Sequence, residues 1–343
     1  MIPPHRTGQK PHTSTRPSRS RHDRRHNQGA GTGAERPGTM IHPALLDATR
    51  QRRACTGESH QALTALHRAG IDIRTIAAAE PEQADLEAAV TVPVCRIGIQ
   101  AAHPLGIISV HPEPHRLTLR LTPRPYVVRL WAEALLPTRA WDAHTRTDPR
   151  DRVSGVYGLR WHTTASAVHL HRPHTPGLLR LRGFPVRWWP RAAAAVASSR
   201  GSLITVPGWT ADEDAAEAGT RGTALRPTNL LSPLLRRIRA TSGTGAVQAT
   251  DAWAAFGGLR LETMDGPPCA QMARLLGPGP CGLGWTVGSA RCACDAPGGR
   301  DGCVMTLHTS DGQQTVSYNG QRSPRTPADL AALAAEGDRR AFA

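Results

Sequence analysis

The sequence predicts an α+β protein, with a helical N-terminal module followed by a mostly antiparallel β-containing body. Three observations carry this. Apolar residues recur at helical spacing at Ile41, Leu45, Leu46 and Ala48, and again at Leu63, Leu66 and Ala69. Leu117-Thr118-Leu119-Arg120-Leu121-Thr122 alternates apolar with polar, the period of a half-buried strand. Asp311-Gly312 lies between the β-prone residues 303–308 and 314–318, and such a dipeptide accepts the positive φ angles of a hairpin turn.

Residues 1–39 hold 8 Lys or Arg against 2 Asp or Glu and almost nothing apolar, so they read as a disordered basic tail. The tail is an arm that touches phosphates, a dispensable tail, or translated sequence upstream of a start at Met40. Residues 40–90 form the helical module. A first helix runs to about Ala54 and breaks at Thr56-Gly57-Glu58-Ser59. Thr56 or Ser59 caps a second helix, which Gly70 ends. A third short helical piece starts at Ile73, and Pro81 opens a fourth in the first-turn position that proline tolerates.

Residues 91–275 form the α+β body. Short β-branched runs lie at 92–94 and 106–110. Residues 126–136 read as strand or helix, and 155–161, 167–171 and 178–181 as a meander. Pro190 opens an Ala-rich helix, 203–206 is a strand, and Thr210 followed by Glu213 is a capping box. Residues 230–239 read as a basic helix interrupted near Pro233, 259–262 as a strand and 270–276 as a helix. Residues 276–343 hold the Cys-containing hairpin and a last helix capped by Thr326. No internal repeat is legible.

Composition bounds the function classes. The 343 residues suffice for roughly two domains. At 39% hydrophobic and a formal charge of +15, the chain is not a membrane-spanning protein, a collagen, a coiled coil or an acidic disordered chain. Lys10 is the only lysine, and Arg, Ala, Gly and Pro are abundant together, the imprint of GC-rich codons. Part of the arginine excess therefore reflects coding. The charge still attracts polyanions at low salt. The first 30 residues contain no apolar signal core, so the expected compartment is the cytoplasm, with the seven cysteines mostly reduced.

Four groups of residues are candidates for chemistry. The stretch 58–80 fits a helix-turn-helix pattern that would aim Arg74 and Thr75 at DNA, although Ala77, Ala78 and Ala79 offer no hydrogen bonds to bases. The alternative is an ordinary helical hairpin. Cys269, Cys281, Cys292, Cys294 and Cys303 cluster in the sequence, and Cys281, Cys292, Cys294 and Cys303 are the expected ligands of a zinc ion. The close pair is C-x-C rather than C-x₂-C, so redox-active or merely buried thiols are the competing readings. His162, His169, His171 and His174 could serve a small-molecule enzyme, or be a solvated sheet face. Arg180, Arg182, Phe184, Arg187, Trp188, Trp189 and Arg191 interleave cations with aromatic rings as single-strand binders do, and Arg236, Arg237 and Arg239 could extend the patch. Here the competing reading is core tryptophans with an arginine rim. There is no Walker loop, no G-x-S-x-G and no dinucleotide fingerprint.

Arg53, Thr56, Gly57, Glu58, Ser59, Ala62 and Leu63 give residues 40–70 an opening that resembles those of uncharacterised actinobacterial, Streptomyces-like proteins often associated with plasmids and other mobile elements. The resemblance implies no activity and favours a start at Met40. The leading functional expectation is a non-catalytic nucleic-acid-associated accessory or regulatory protein. A small-molecule enzyme and an interaction protein with a structural zinc are the alternatives.

Overall fold

The computed structural model describes residues 43–219, 227–243, 247–255, 258–292, 302–323 and 325–342. The expected tail at 1–39 and Cys294 lie outside them. The protein is α+β, with helices and mostly antiparallel sheets.

Two helices, α1 (Pro43–Thr56) and α2 (His60–Arg68), lead the described chain. Ser59 caps α2 through the amide of Ala62. The turn between the helices has a specific job. Gly57 adopts φ +71°, and a Cβ there would lie 2.3 Å from the carbonyl oxygen of Ile108, so only glycine lets the turn press on the strand behind it. Glu58 then points inward and accepts from Arg52 Nε at 2.7 Å.

From there the chain runs through α3 (Pro81–Arg96), β1 (Ile107–Glu113), β2 (Arg116–Leu121), α4 (Pro125–Leu135), β3 (Thr138–Arg139), α5 (Pro149–Arg152), β4 (Val153–Ser154), β5 (Arg160–Thr163), β6 (Val168–His171), β7 (Leu178–Arg182), α6 (Trp188–Arg200), β8 (Ser202–Leu203) and α7 (Ala211–Ala218). It continues through α8 (Thr228–Leu235), β9 (Ala249–Ala255), β10 (Gly258–Met264), α9 (Cys269–Leu276), β11 (Thr286–Arg291), β12 (Cys303–His308), β13 (Thr315–Gln321) and α10 (Pro327–Arg340).

This order contains a repeat that the sequence hides. The elements α3-β1-β2-α4-β5-β6-β7-α6 and α8-β9-β10-α9-β11-β12-β13-α10 both run helix, hairpin, helix, three-strand meander, helix. Each builds a five-stranded sheet, ordered β1-β2-β7-β6-β5 and β9-β10-β13-β12-β11. In each the second hairpin strand pairs parallel with the last meander strand, β2 with β7 and β10 with β13, and the other pairings are antiparallel. The first half adds α5, α7 and the small sheet β4-β3-β8. The expectation of no internal repeat is corrected on this point: the topology repeats, while the residues that fill it differ.

The core explains both halves. Leu117, Leu119, Leu179 and Leu181 are buried on the inner side of the first sheet, as Leu259, Leu261, Val316 and Tyr318 are in the second. One apolar cluster, reaching from Cys55 to Tyr318, joins them. Helix α3 packs against α4 of its own half and α8 of the other. Residues 92–94, expected as a strand, are helical and belong to α3, with Pro93 inside it. An interior proline typically costs a helix about 3 kcal/mol, but full burial of Val90, Val94 and Cys95 offsets that penalty. The break expected at 90/91 therefore falls within a continuous helix.

Residues 71–80 are not helical. Ile73 and Ile76 are buried, and the backbone bonds there are long-range: Cys281 N donates to Arg74 O at 2.8 Å and Arg52 Nη1 to Thr75 O at 2.6 Å. The third helical piece does not form because these bonds and the two anchors replace the helical ladder.

Candidate functional site

Positive charge gathers on the outward face of the first sheet. Because the leucines of β2 and β7 face inward, alternation sends Thr118, Arg120, Arg180 and Arg182 outward. The register then sets His111, Thr118, Arg180, His169 and His162 in one row across β1, β2, β7, β6 and β5. Ser109, Arg120 and Arg182 form the next row. An open hollow of about 610 Å³ lies on this face, lined by Ser109, His111, Thr118, Arg120, Arg182 and Phe184 among others.

The face is electrostatically crowded. His162 stacks on His169 with ring centroids 4.8 Å apart and planes 9° from parallel. His171 meets His162 edge-on at 5.7 Å. Partial burial and then the neighbouring His162, Arg180 and Arg116 hold the His169 pKa below its usual value. His171 is lowered in the same sense, by burial and then by His162 and Arg160. The Arg180 guanidinium is itself pushed down, by burial first and then by Arg182 and Arg116, with Glu113 opposing. Its Nε is buried with no hydrogen-bond partner. Burial is the leading cause for all three groups, and the neighbouring cations add to it in the same direction.

The carboxylates that do reach the area are engaged. Arg116 Nη2 donates to both oxygens of Glu113, at 2.7 and 2.6 Å. His111 Nδ1 lies 2.8 Å from Glu58 Oε1, and its Nε2 lies 3.6 Å from Glu113 Oε1. With a carboxylate at each ring nitrogen, His111 is not arranged to activate Ser109 as a nucleophile. At the far end of the face, Arg160 is locked to Glu213 at 2.8 Å and to the carbonyl of Val206, so the segment leading into α7 covers it.

The second half provides an internal control. The Leu117–Leu179 pair corresponds to Leu259–Val316, and Leu119–Leu181 to Leu261–Tyr318. The row His111, Thr118, Arg180, His169, His162 therefore corresponds to Trp253, Arg260, Ser317, Thr306, Ser289. Arg120 and Arg182 correspond to Glu262 and Asn319. The same scaffold is cationic in one copy and mixed in the other.

The residues singled out for nucleic acid from the sequence fall elsewhere. Arg74 is exposed and paired with Asp72 at 2.9 Å, while Thr75 lies in the same non-helical segment; no recognition helix forms there. Arg187 and Arg191 are exposed at the start of α6. Trp188 is half-buried against Phe342, and Trp189 is fully buried with Trp161 edge-on at 6.4 Å, so neither presents an open ring to a base. Arg236 and Arg237 are corrected most firmly. Arg236 is 1% exposed and forks onto Glu87, Nε to Oε2 at 2.9 Å and Nη2 to Oε1 at 2.7 Å. Its other donors reach the carbonyls of Ala77 and Glu113. Arg237 donates to Cys281 O at 2.6 Å, and burial brings its pKa down to about 10. These two are interior braces. His174 sits beyond β6 at φ +65°, off the histidine row.

The cysteines sort differently from expectation as well. The sulfurs of Cys269, Cys292 and Cys303 lie within 4.8 Å of one another. Cys281 is apart: its thiol donates to the carbonyls of Ile73 and Arg74, and burial raises its pKa to about 11. A buried thiol held as a donor is a structural group. Sequence proximity alone could not separate Cys281 from Cys269.

Comparison of the chain with protein-family models, with curated proteins and with solved structures gives no match. Among the described residues, no helix is long and apolar enough to cross a membrane.

Proposed function

We propose that this chain is a non-catalytic nucleic-acid-associated protein that holds a phosphate backbone on the outward face of its first sheet. Arg120, Arg180 and Arg182 are the phosphate ligands, and the exposed ring of His162 is a surface on which a base can stack. The observation behind this reading is the contrast between the two sheets. GC-rich coding acts on both halves alike, so it does not account for the difference between Arg120, Arg180 and Arg182 on the first face and Glu262, Ser317 and Asn319 at the same positions of the second, where Arg260 lies beside Glu262. A single strand suits the site best, since an open sheet face can meet both backbone and splayed bases.

The test is affinity of the full chain for single-stranded and duplex DNA across a salt series. Substituting Arg120, Arg180 and Arg182 together by Ala should flatten the salt dependence by about 0.7 per lost contact on single strands and about 0.9 on duplex. Substituting the exposed Arg74, Arg187 and Arg191 together, at equal change in net charge, should leave the slope near that of the parent. The opposite pattern would move the site to the α6 and α2 regions and end the sheet-face reading.

A further inference from the structure

We propose that Cys269, Cys292 and Cys303 are ligands of one zinc ion at the edge of the second half, separate from the cationic face. Three elements converge there. Cys303 is the first residue of β12, Cys292 directly follows β11, and Cys269 is the first residue of α9. The β11–β12 pairing, with Arg291 opposite Val304, brings Cys292 level with Cys303. Helix α9 packs on both strands and carries Cys269 to the same point.

The spacing suits the metal. A tetrahedral zinc with bonds of about 2.3 Å sets its sulfurs about 3.8 Å apart. Here the Cys292 and Cys303 sulfurs are 3.5 Å apart and all three lie within 4.8 Å. A disulfide bond, at about 2.05 Å, is far shorter. Cys269 and Cys303 are buried and Cys292 is exposed, so the cluster has a closed apolar side and an open side through which an ion enters. Three soft sulfur donors select zinc over hard cations and leave the fourth corner of the tetrahedron to water or a further donor. On binding, each thiol releases its proton to solvent and the sulfur lone pair forms the bond, with no change of oxidation state.

The expected role is structural. Strand β11, the outer member of its pair with β12, is exposed along its whole length. Tying its end to β12 and α9 fixes an edge that apolar burial alone holds weakly.

The experiment is metal titration of the reduced full chain, with Co²⁺ as spectroscopic probe and Zn²⁺ as competitor. The parent should take up one equivalent of Co²⁺ with the absorption of a tetrahedral thiolate site, displaced by Zn²⁺. Cys303→Ser and Cys269→Ser should lose that spectrum, while Cys281→Ser and Cys55→Ser keep it. Cys292→Ser, which alters an exposed side chain, guards against loss through misfolding: it too should lose the thiolate spectrum while its circular dichroism matches the metal-free parent. The parent failing to show a tetrahedral thiolate spectrum would overturn the proposal. So would retention of that spectrum by both Cys292→Ser and Cys303→Ser.

Discussion

His169 on β6 is the direct cross-strand partner of Arg180 on β7, and both point out of the first sheet. Their closeness is unfavourable without an anion. His169 resists protonation because of partial burial, then His162 and the Arg180 guanidinium itself. An anion seated on this row would lower the potential that both groups feel.

That relationship predicts a pH dependence. Phosphate bound beside the row raises the proton affinity of His169 and His171, so binding takes up protons and tightens as pH falls from 8 to 6. Without ligand the sign for stability is the reverse. In the unfolded chain these histidines protonate near the ordinary 6.5, while in the folded chain they do so lower. The free protein therefore loses stability as pH falls below 6.5. Glu58 adds a second loss in more acidic solution. Burial pushes its pKa up, but hydrogen bonds from His111 and Arg52 outweigh burial and hold it below 4.5. Its stabilisation is complete above that pH and is lost as pH falls through the folded value. Thermal melts from pH 8 to 3, with and without oligonucleotide, check both signs. Binding that weakens toward pH 6 would contradict the account.

Arg236 should behave as a brace and not as a ligand. Its partner Glu87 is 0% exposed and also accepts from Ser232 at 2.6 Å. Arg236→Ala leaves that carboxylate buried without its counter-ion, and breaking such a pair costs about 3–5 kcal/mol. Chemical denaturation should show a loss of this size. At temperatures where the variant stays folded, its affinity for DNA should equal that of the parent. A stable variant with weakened binding would return Arg236 to the role its sequence context suggested.

Much of the local structure is written in the sequence. The Ser59 cap, the Thr210–Glu213 capping box, the Leu117–Leu121 alternation and the Asp311-Gly312 turn are short-range effects, and each occurs as read. Long-range effects were not legible. Residues 71–80 look helical until the backbone bonds to Cys281 and Arg52 are known. Val92-Pro93-Val94 looks like a strand until α3 is seen to be enclosed by both halves. The cationic face depends on the parallel β2–β7 pairing, which joins Arg120 to Arg182 across some sixty residues, and no local pattern encodes that register. Arg180, Arg182 and the histidines were visible as separate groups, and Arg120 was visible only as the polar phase of a strand. Arg236 shows the converse: an arginine run on a helix that reads as basic surface is held inside by one carboxylate on α3.

The central claim is that the first outward face binds phosphate and its counterpart in the second half does not. The repeat supplies the most direct measurement, an exchange of equivalent residues. Arg120→Glu with Arg182→Asn gives the first sheet the residues of the second at those positions, and Glu262→Ala removes the carboxylate that Arg120 replaces in the repeat. Single-strand affinity is measured for each at fixed salt. The account predicts at least a tenfold loss for the Arg120/Arg182 exchange and no loss for Glu262→Ala. Unchanged affinity after the exchange, in a protein that melts like the parent, would contradict it.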